Sequence, residues 1–361
     1  MPTSRQTEQG ATEPLTSHFR VKLGSSNLTR MARSLSRRAF LGGGLALGAT
    51  GLLAACGGGT SNGSGGSGAW SFTDDMGNTV TRDRRPTRIA GLNDAIASLW
   101  NYGIVPVASF GATALADDVN FEGQDTSQVV EVGTTYGQID LEALATQKPD
   151  LIVVHAYPVD SEGTLDPKKP LFGFNDLQQQ QLVNEIAPVV AIAMAGSATR
   201  VVDRTVELAK ALGVTDETLA EPKRRYEEAR ERLSAATESG LSALAMAAYP
   251  NDGVHIAKAK DDPALRSYTE LGLSYPDPGG DDYFWRSVSW ENITDYRSDV
   301  VLYSLRAMDG EAMLKQPTFA QLPAAKAGQV YPWEFSSMDY VAQARTINRL
   351  AANLEKSRKV T

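Results

Sequence analysis

Cysteine and histidine are scarce in this chain. Its 361 residues hold one of the first, Cys56, and three of the second. A single cysteine excludes an internal disulfide. His18 lies far from the rest, so His155 and His255 are left to the body of the chain, too few for an imidazole-rich zinc site or a direct metal binder. Basic charge is short as well. The net charge is −8, and residues 1–55 carry seven Lys/Arg against two Asp/Glu, so the remainder stands at −13. An acidic body of this kind excludes nucleic acid as a partner. Enzyme signatures are missing: there is no Gly-x-Ser-x-Gly elbow, no Gly-x-Gly-x-x-Gly after a strand and no phosphate-cradling loop. Asp281 and Asp282 are adjacent acids in a Gly-rich turn, a setting that is usually solvated rather than catalytic. No cofactor or coiled-coil signal supports the different-class alternative, an extracytoplasmic lipoprotein with an enzymatic or signalling role.

What is present begins with "SRRAFLGGGLALGATGLLAACGGGTSNGSGGSG", residues 36–68. The uncharged run 39–55 is seventeen residues long and rich in glycine, whereas a membrane-spanning helix needs about 20 apolar residues. A positive start, a short apolar core and a small-residue end are those of an export signal. Ser-Arg-Arg-x-Phe-Leu resembles the twin-arginine signal, and Leu53-Ala54-Ala55-Cys56 resembles a bacterial lipobox. That resemblance implies cleavage before Cys56 and lipidation of its thiol. Residues 1–55 are then the signal region, with translation starting at Met1 or Met31. Residues 56–68 are a Gly/Ser tether spanning roughly 20 Å root-mean-square. The implied location is the outer face of the cytoplasmic membrane, held by lipid.

Beyond residue 69 the chain alternates strands and helices. "WSFTDDMGNTVT" reads as two short strands around a turn. "RIAGL", "VPVASFG", "LIVVHAYP" and "VVAIAM" read as strands, and "NDAIASLWNYG", "IDLEALAT" and "LVNEIA" as helices. This pattern implies a parallel sheet buried on both faces. From Thr199 to Ala236 the chain reads as helix broken near Gly213 and Pro222, dense in Glu, Arg and Ala, a solvated connector that bridges rather than packs. Alternation then resumes, and "ENITDYRSDVVLYS" parallels "LEALATQKPDLIVVHA". The fold class expected is α/β: two lobes with mainly parallel sheets joined by a single long α-helix, with an N-terminal lobe over 69–198, a connector over 199–239 and a C-terminal lobe over 240–361.

The order and spacing of "FTDDMGNTVT", "RIAGL…LWNYGIVPVAS", "VGTTYGQIDLEALATQKPDLIVV", "SVSWENITDYRSDVVLYS" and "LPAAKAGQVYPW" resemble the class III substrate-binding proteins of ABC importers, the group that captures ferric siderophores, haem and cobalamin. The resemblance covers nearly all of residues 70–356. It implies a ligand held between two lobes, limited lobe motion, a monomer, and delivery to an ABC permease with its ATPase. It also implies one acidic docking residue per lobe, here Glu142 in "IDLEAL" and Glu291 in "VSWENI". Both stand at a predicted helix start, so simple macrodipole complementation is the competing reading.

Ligands of open α/β sheets bind beyond the carboxyl ends of strands. Those positions hold Asn93, Asp94, Gly111, Tyr136, His155, Tyr157, Tyr249, Tyr303, Arg306, Trp333 and Phe335, with Tyr283, Phe284, Trp285 and Arg286 in a predicted exposed loop. Tyr283, Trp285 and Arg286 are expected to form one cleft wall facing Tyr136, His155 and Tyr157. Flat aromatic walls and forked arginine donors suit a bulky ferric hydroxamate whose iron stays wrapped in its chelator, so no protein metal ligand and no covalent cofactor is required. Haem is the alternative ligand, with His155, Tyr157, Tyr283 or Tyr303 as axial candidates; cobalamin is a third.

Overall fold

The computed structural model describes residues 69–361. The signal region 1–55, Cys56 and the tether to residue 68 lie outside them. No helix among the described residues is long and apolar enough to cross a membrane.

The alternation read from the sequence is built as two α/β lobes. A hairpin, β1 (Trp70–Thr73) and β2 (Thr79–Arg82), comes first. Its turn acids dock it onto the first lobe. Asp74 Oδ2 accepts from Ala191 N, Asp75 Oδ2 accepts from Ala193 N at 2.7 Å, and Arg204 pairs with Asp75 at 2.9 Å. The first lobe then runs β3 (Ile89–Leu92), α1 (Asn93–Trp100), β4 (Ala108–Phe110), β5 (Val130–Gly133), α2 (Leu141–Thr146), β6 (Leu151–Ala156), α3 (Leu177–Ile186) and β7 (Val189–Ala193). Its five strands are all parallel in the order β5-β4-β3-β6-β7. β3, β6 and β7 are buried along their whole length, as their largely apolar sequences require. Gly91 lets β3 and β6 approach: a Cβ there would strike the Val153 carbonyl oxygen.

Next come α4 (Ala198–Ala211) and α5 (Asp216–Thr237). The second lobe follows with β8 (Ala243–Tyr249), β9 (Gly253–Ala257), α6 (Pro263–Glu270), β10 (Trp285–Val288), β11 (Val300–Ser304), α7 (Gly310–Leu314), α8 (Pro323–Lys326) and β12 (Val330–Trp333). Its strand order is β10-β9-β8-β11-β12. Here β8, β11 and β12 are parallel, but β9 is antiparallel to both neighbours. The second half therefore departs from the simple repeat expected. The short Tyr249–Gly253 connection, with Gly253 at φ 81°, turns the chain straight back, which leaves no room for a crossover helix.

Two helical expectations need correction. Pro222 does not break the connector; it lies inside the 22-residue α5. An interior proline costs about 3 kcal/mol, but the stripe Leu219, Tyr226, Ala229 and Leu233 is buried against α9 (Tyr340–Glu355). Burying a large apolar side chain contributes about 1.5–3 kcal/mol, so the stripe outweighs the proline. The connector thus packs along one face rather than standing in solvent. At its far end Arg232 grips Glu355 through two hydrogen bonds of 2.7 and 2.8 Å.

The N-terminus of α9 returns to the first lobe. Asp339 there is fully buried and accepts four hydrogen bonds: Val341 N and Ala342 N on Oδ1, Ser337 Oγ and Asn101 Nδ2 on Oδ2. Tyr340 N donates to Tyr102 Oη, and the Asn120 amide pairs with Ser337 N and the Phe335 carbonyl. Asn101, Tyr102 and Asn120 belong to the first lobe, so this buried polar hub ties the lobes beside the connector.

Candidate functional site

The strand orders reverse between β3 and β6 in the first lobe and between β8 and β11 in the second. The carboxyl ends beside such a switch point are where an open sheet leaves a crevice. Asp94 follows β3, His155 lies near the end of β6 with Tyr157 just beyond it, and Arg306 follows β11. The structure brings these together: Arg306 Nη2 donates to Asp94 Oδ1 at 2.6 Å, an ion pair that crosses between the lobes. The guanidinium also lies 5.2 Å over the Phe335 ring. The Asp94 carboxylate holds the guanidinium in its charged form against the penalty of burial.

The second-lobe wall is aromatic, and strand alternation explains it. Leu244 and Met246 of β8 face one core, with Val254 and Ile256 of β9. Ala243 and Ala245 of β8 and Ala257 of β9 face the other side. These small residues leave space above the sheet. Trp285 and Trp333, from the two opposite edge strands, fill it edge to face with centroids 6.3 Å apart. Phe335 lies 4.6 Å beyond Trp333, Phe284 5.0 Å from Trp285, and His255 6.4 Å from Trp285.

Of the stretch read as an exposed loop, Trp285 and Arg286 are edge strand and Phe284 is only 8% exposed. Phe284 takes φ 68°, a left-handed conformation costly for a bulky residue, about 1–3 kcal/mol. The buried Lys258 ammonium fixes the approach by donating to the carbonyls of Gly280 and Asp282, and Phe284 N donates to Asp261 Oδ2. This clamp aims Trp285 over the sheet. Arg286 does not join Trp285. It pairs across the ladder with Ile256, on the side of the second core, because successive side chains of a strand point to opposite faces. Tyr303 also points away, packing against that second core. Tyr283 stays at the edge, its hydroxyl 3.4 Å from the Asp261 carbonyl.

The first-lobe wall contains the three residues expected, joined by one that the sequence did not disclose. Phe172 stands 5.2 Å from Tyr136 and 5.0 Å from Tyr157, and Tyr157 is 6.5 Å from His155. Phe172 sits in a long irregular segment with no period to mark it. His155 is 2% exposed, and burial lowers its pKa to about 4, so the ring is neutral at pH 7. Its enclosure gives the axial-ligand candidate no open approach in this arrangement. Burial raises the hydroxyls of Tyr136, Tyr157 and Tyr283, which keeps them protonated as hydrogen-bond donors.

Deep beside the walls lies a small cavity of about 30 Å³, lined by Asp94, His155, Tyr157, Phe284, Trp333 and Phe335 among others. That is room for roughly two waters, far below the ~300–1,000 Å³ of a typical small-molecule site. Among the described residues no group of His, Cys, Asp and Glu could hold a metal ion.

Glu142 and Glu291 are both exposed, each in the first turn of its element. In α2 the capping is done by Asp140, whose Oδ1 accepts from Ala143 N at 2.9 Å, so Glu142 is not needed for it. Glu291 lies in a 3-10 turn, Trp290–Asp295, and a hydrogen bond from Ser289 lowers its carboxyl pKa.

Comparison with known proteins agrees with this architecture. No curated protein matches the chain. DesE, a ferric-siderophore receptor protein from Streptomyces coelicolor, is 28% identical with a TM-score of 0.72 over 81% of this chain and 100% of that one. The siderophore periplasmic binding protein from the fuscachelin gene cluster of Thermobifida fusca is 24% identical, TM-score 0.55, over 75% of this chain and 97% of its own. FhuD2 from Staphylococcus aureus, solved with bound ferrioxamine B, shares the fold at 18% identity and TM-score 0.53, over 75% and 99%. The periplasmic binding protein model matches residues 89–336, which spans both sheets, and the chain belongs to that family.

Proposed function

We propose that this protein captures a ferric siderophore of hydroxamate type in the cleft between its lobes and delivers it to an ABC permease and its ATPase, held at the outer face of the cytoplasmic membrane by a lipid on Cys56. The observation that carries the reading is the pairing of walls: Trp285, Trp333 and Phe335 on one lobe, Tyr136, Tyr157 and Phe172 on the other, with Arg306 at the seam. The similarity to DesE supports the ligand class. Charge supports the hydroxamate type. A ferric tris-hydroxamate centre is neutral, whereas a tris-catecholate is triply anionic and needs several free cations. Arg306 is already neutralised by Asp94, so the neutral centre fits better.

Titrating the chain with ferrioxamine B, a ferric catecholate, hemin and cyanocobalamin, with tryptophan fluorescence as readout, tests this. Submicromolar quenching by ferrioxamine B alone is expected. A tight response to hemin alone would move the assignment to haem and make His155 the residue to examine. For docking, the double variant Glu142→Ala/Glu291→Ala should bind ligand normally and lose transport. Normal uptake of iron by that variant would reject the docking assignment.

A further inference from the structure

The second lobe carries a concavity at the end opposite the cleft. Arg306 and Trp333 follow or end the carboxyl ends of the parallel strands β11 and β12, whereas this concavity is built by what precedes them: Arg297 before β11, and Leu322, Pro323 and Lys326 before β12. Residues 358–361 supply the remaining wall through Arg358 and Val360. It is open and holds about 560 Å³.

Three cations meet there on a strongly acidic protein. Among the described residues, Arg297, Lys326 and Arg358 make no ion pair. The acid next to them in sequence is already engaged. Asp299 is 1% exposed; its Oδ1 accepts from Val360 N, Thr361 N and Thr361 Oγ1, and its Oδ2 from Ser242 N and Ser242 Oγ. These bonds hold its pKa down to about 2 despite burial. Gln329, also buried, fixes the same wall: its Nε2 donates to the Arg358 carbonyl and its Oε1 accepts from Arg358 N. Two buried polar side chains thus hold in place the segment that supplies the third cation. Three exposed cations beside the apolar side chains of Leu322, Pro323 and Val360 suit an anion with several oxygens, because guanidinium forks match phosphate geometry.

We infer that this concavity is a second ligand site, independent of the cleft, that takes a phosphate group presented by a soluble phosphate compound or by a lipid headgroup. The inference does not rest on the siderophore reading. Calorimetric titration of the full chain with pyrophosphate at low ionic strength should show saturable binding. Arg297→Ala/Arg358→Ala should weaken it at least tenfold. Lys359→Ala, whose Nζ bonds the Gly240 carbonyl and does not line the concavity, should leave it within twofold. An unchanged unfolding midpoint checks that the variants fold. Flotation with phosphatidylglycerol and phosphatidylcholine vesicles separates the sources. Retention by the anionic vesicles alone, lost in the double variant, assigns a headgroup; pyrophosphate binding without retention assigns a soluble phosphate. Absence of both, or equal weakening by Lys359→Ala, overturns the site.

Discussion

Trp285→Ala should weaken ferrioxamine B binding at least tenfold, about 1.4 kcal/mol, while Arg286→Ala should change it by less than about threefold. The two residues are neighbours in sequence, and a sequence-based reading puts them in one wall. The ladder separates them. Trp285 is opposite Ala257 and meets Trp333 above the small-residue face, whereas Arg286 is opposite Ile256 on the other side of the sheet. Truncating Trp285 removes a flat surface on the order of 150–250 Å² and takes from Phe284 and Trp333 the ring that links them. Calorimetry is the right readout, since the variant lacks one of the reporting indoles. Equal losses for the two variants would mean that β10 does not hold this register when ligand is bound.

Asp339→Ala should cost about 3–5 kcal/mol in urea unfolding, the largest effect of any single change considered. The substitution strips the N-terminal cap from α9, a loss of about 0.5–2 kcal/mol, and strands buried donors at about 1–3 kcal/mol each. Asp339→Asn keeps the shape and tests the charge. Burial raises the Asp339 carboxyl to about 6. A carboxyl raised on folding binds more protons in the native state, so its stabilising contribution is full below the unfolded value near 4 and is lost as pH rises through about 6. That rise corresponds to about 3 kcal/mol. Stability measured at pH 4 and pH 7 should therefore differ less in Asp339→Asn than in the parent. Asp262, also raised to about 6 by burial, acts in the same sense, and His155, lowered to about 4, acts in the opposite sense. An unaltered pH dependence in Asp339→Asn would show that this carboxyl does not titrate in the window.

The alternating pattern of strand and helix was legible because β3, β7 and the Leu151–Val154 part of β6 are apolar runs between clear punctuation. The strand-end rule likewise pointed to His155, Tyr157, Arg306 and Trp333. What could not be read was direction. Whether β9 runs parallel or antiparallel depends on a short turn at Gly253, and that choice decides which side chains of β10 face the cleft. Arg286 on β10 and Tyr303 on β11 were misplaced because a residue's type announces what it could bind, but its face is set by strand alternation and register. Phe172 and the hub around Asp339 escaped because their partners come from distant segments, as with the pair Asn101 and Asp339. Pro222 was read as a break because helix propensity ignores the tertiary contact that overrides it.

The Arg306–Asp94 pair that joins the lobes has a kinetic consequence. A ligand whose oxygens take Arg306 must displace the Asp94 carboxylate, so full engagement waits until this pair opens. The observed association rate should then level off at high ligand concentration, at the frequency of spontaneous opening. The apparent affinity is the intrinsic one reduced by the fraction of molecules that stand open. Selectivity in such a receptor is exercised twice: once by the walls that contact the ligand, and once by the ease with which a ligand's own oxygens replace the Asp94 carboxylate on Arg306.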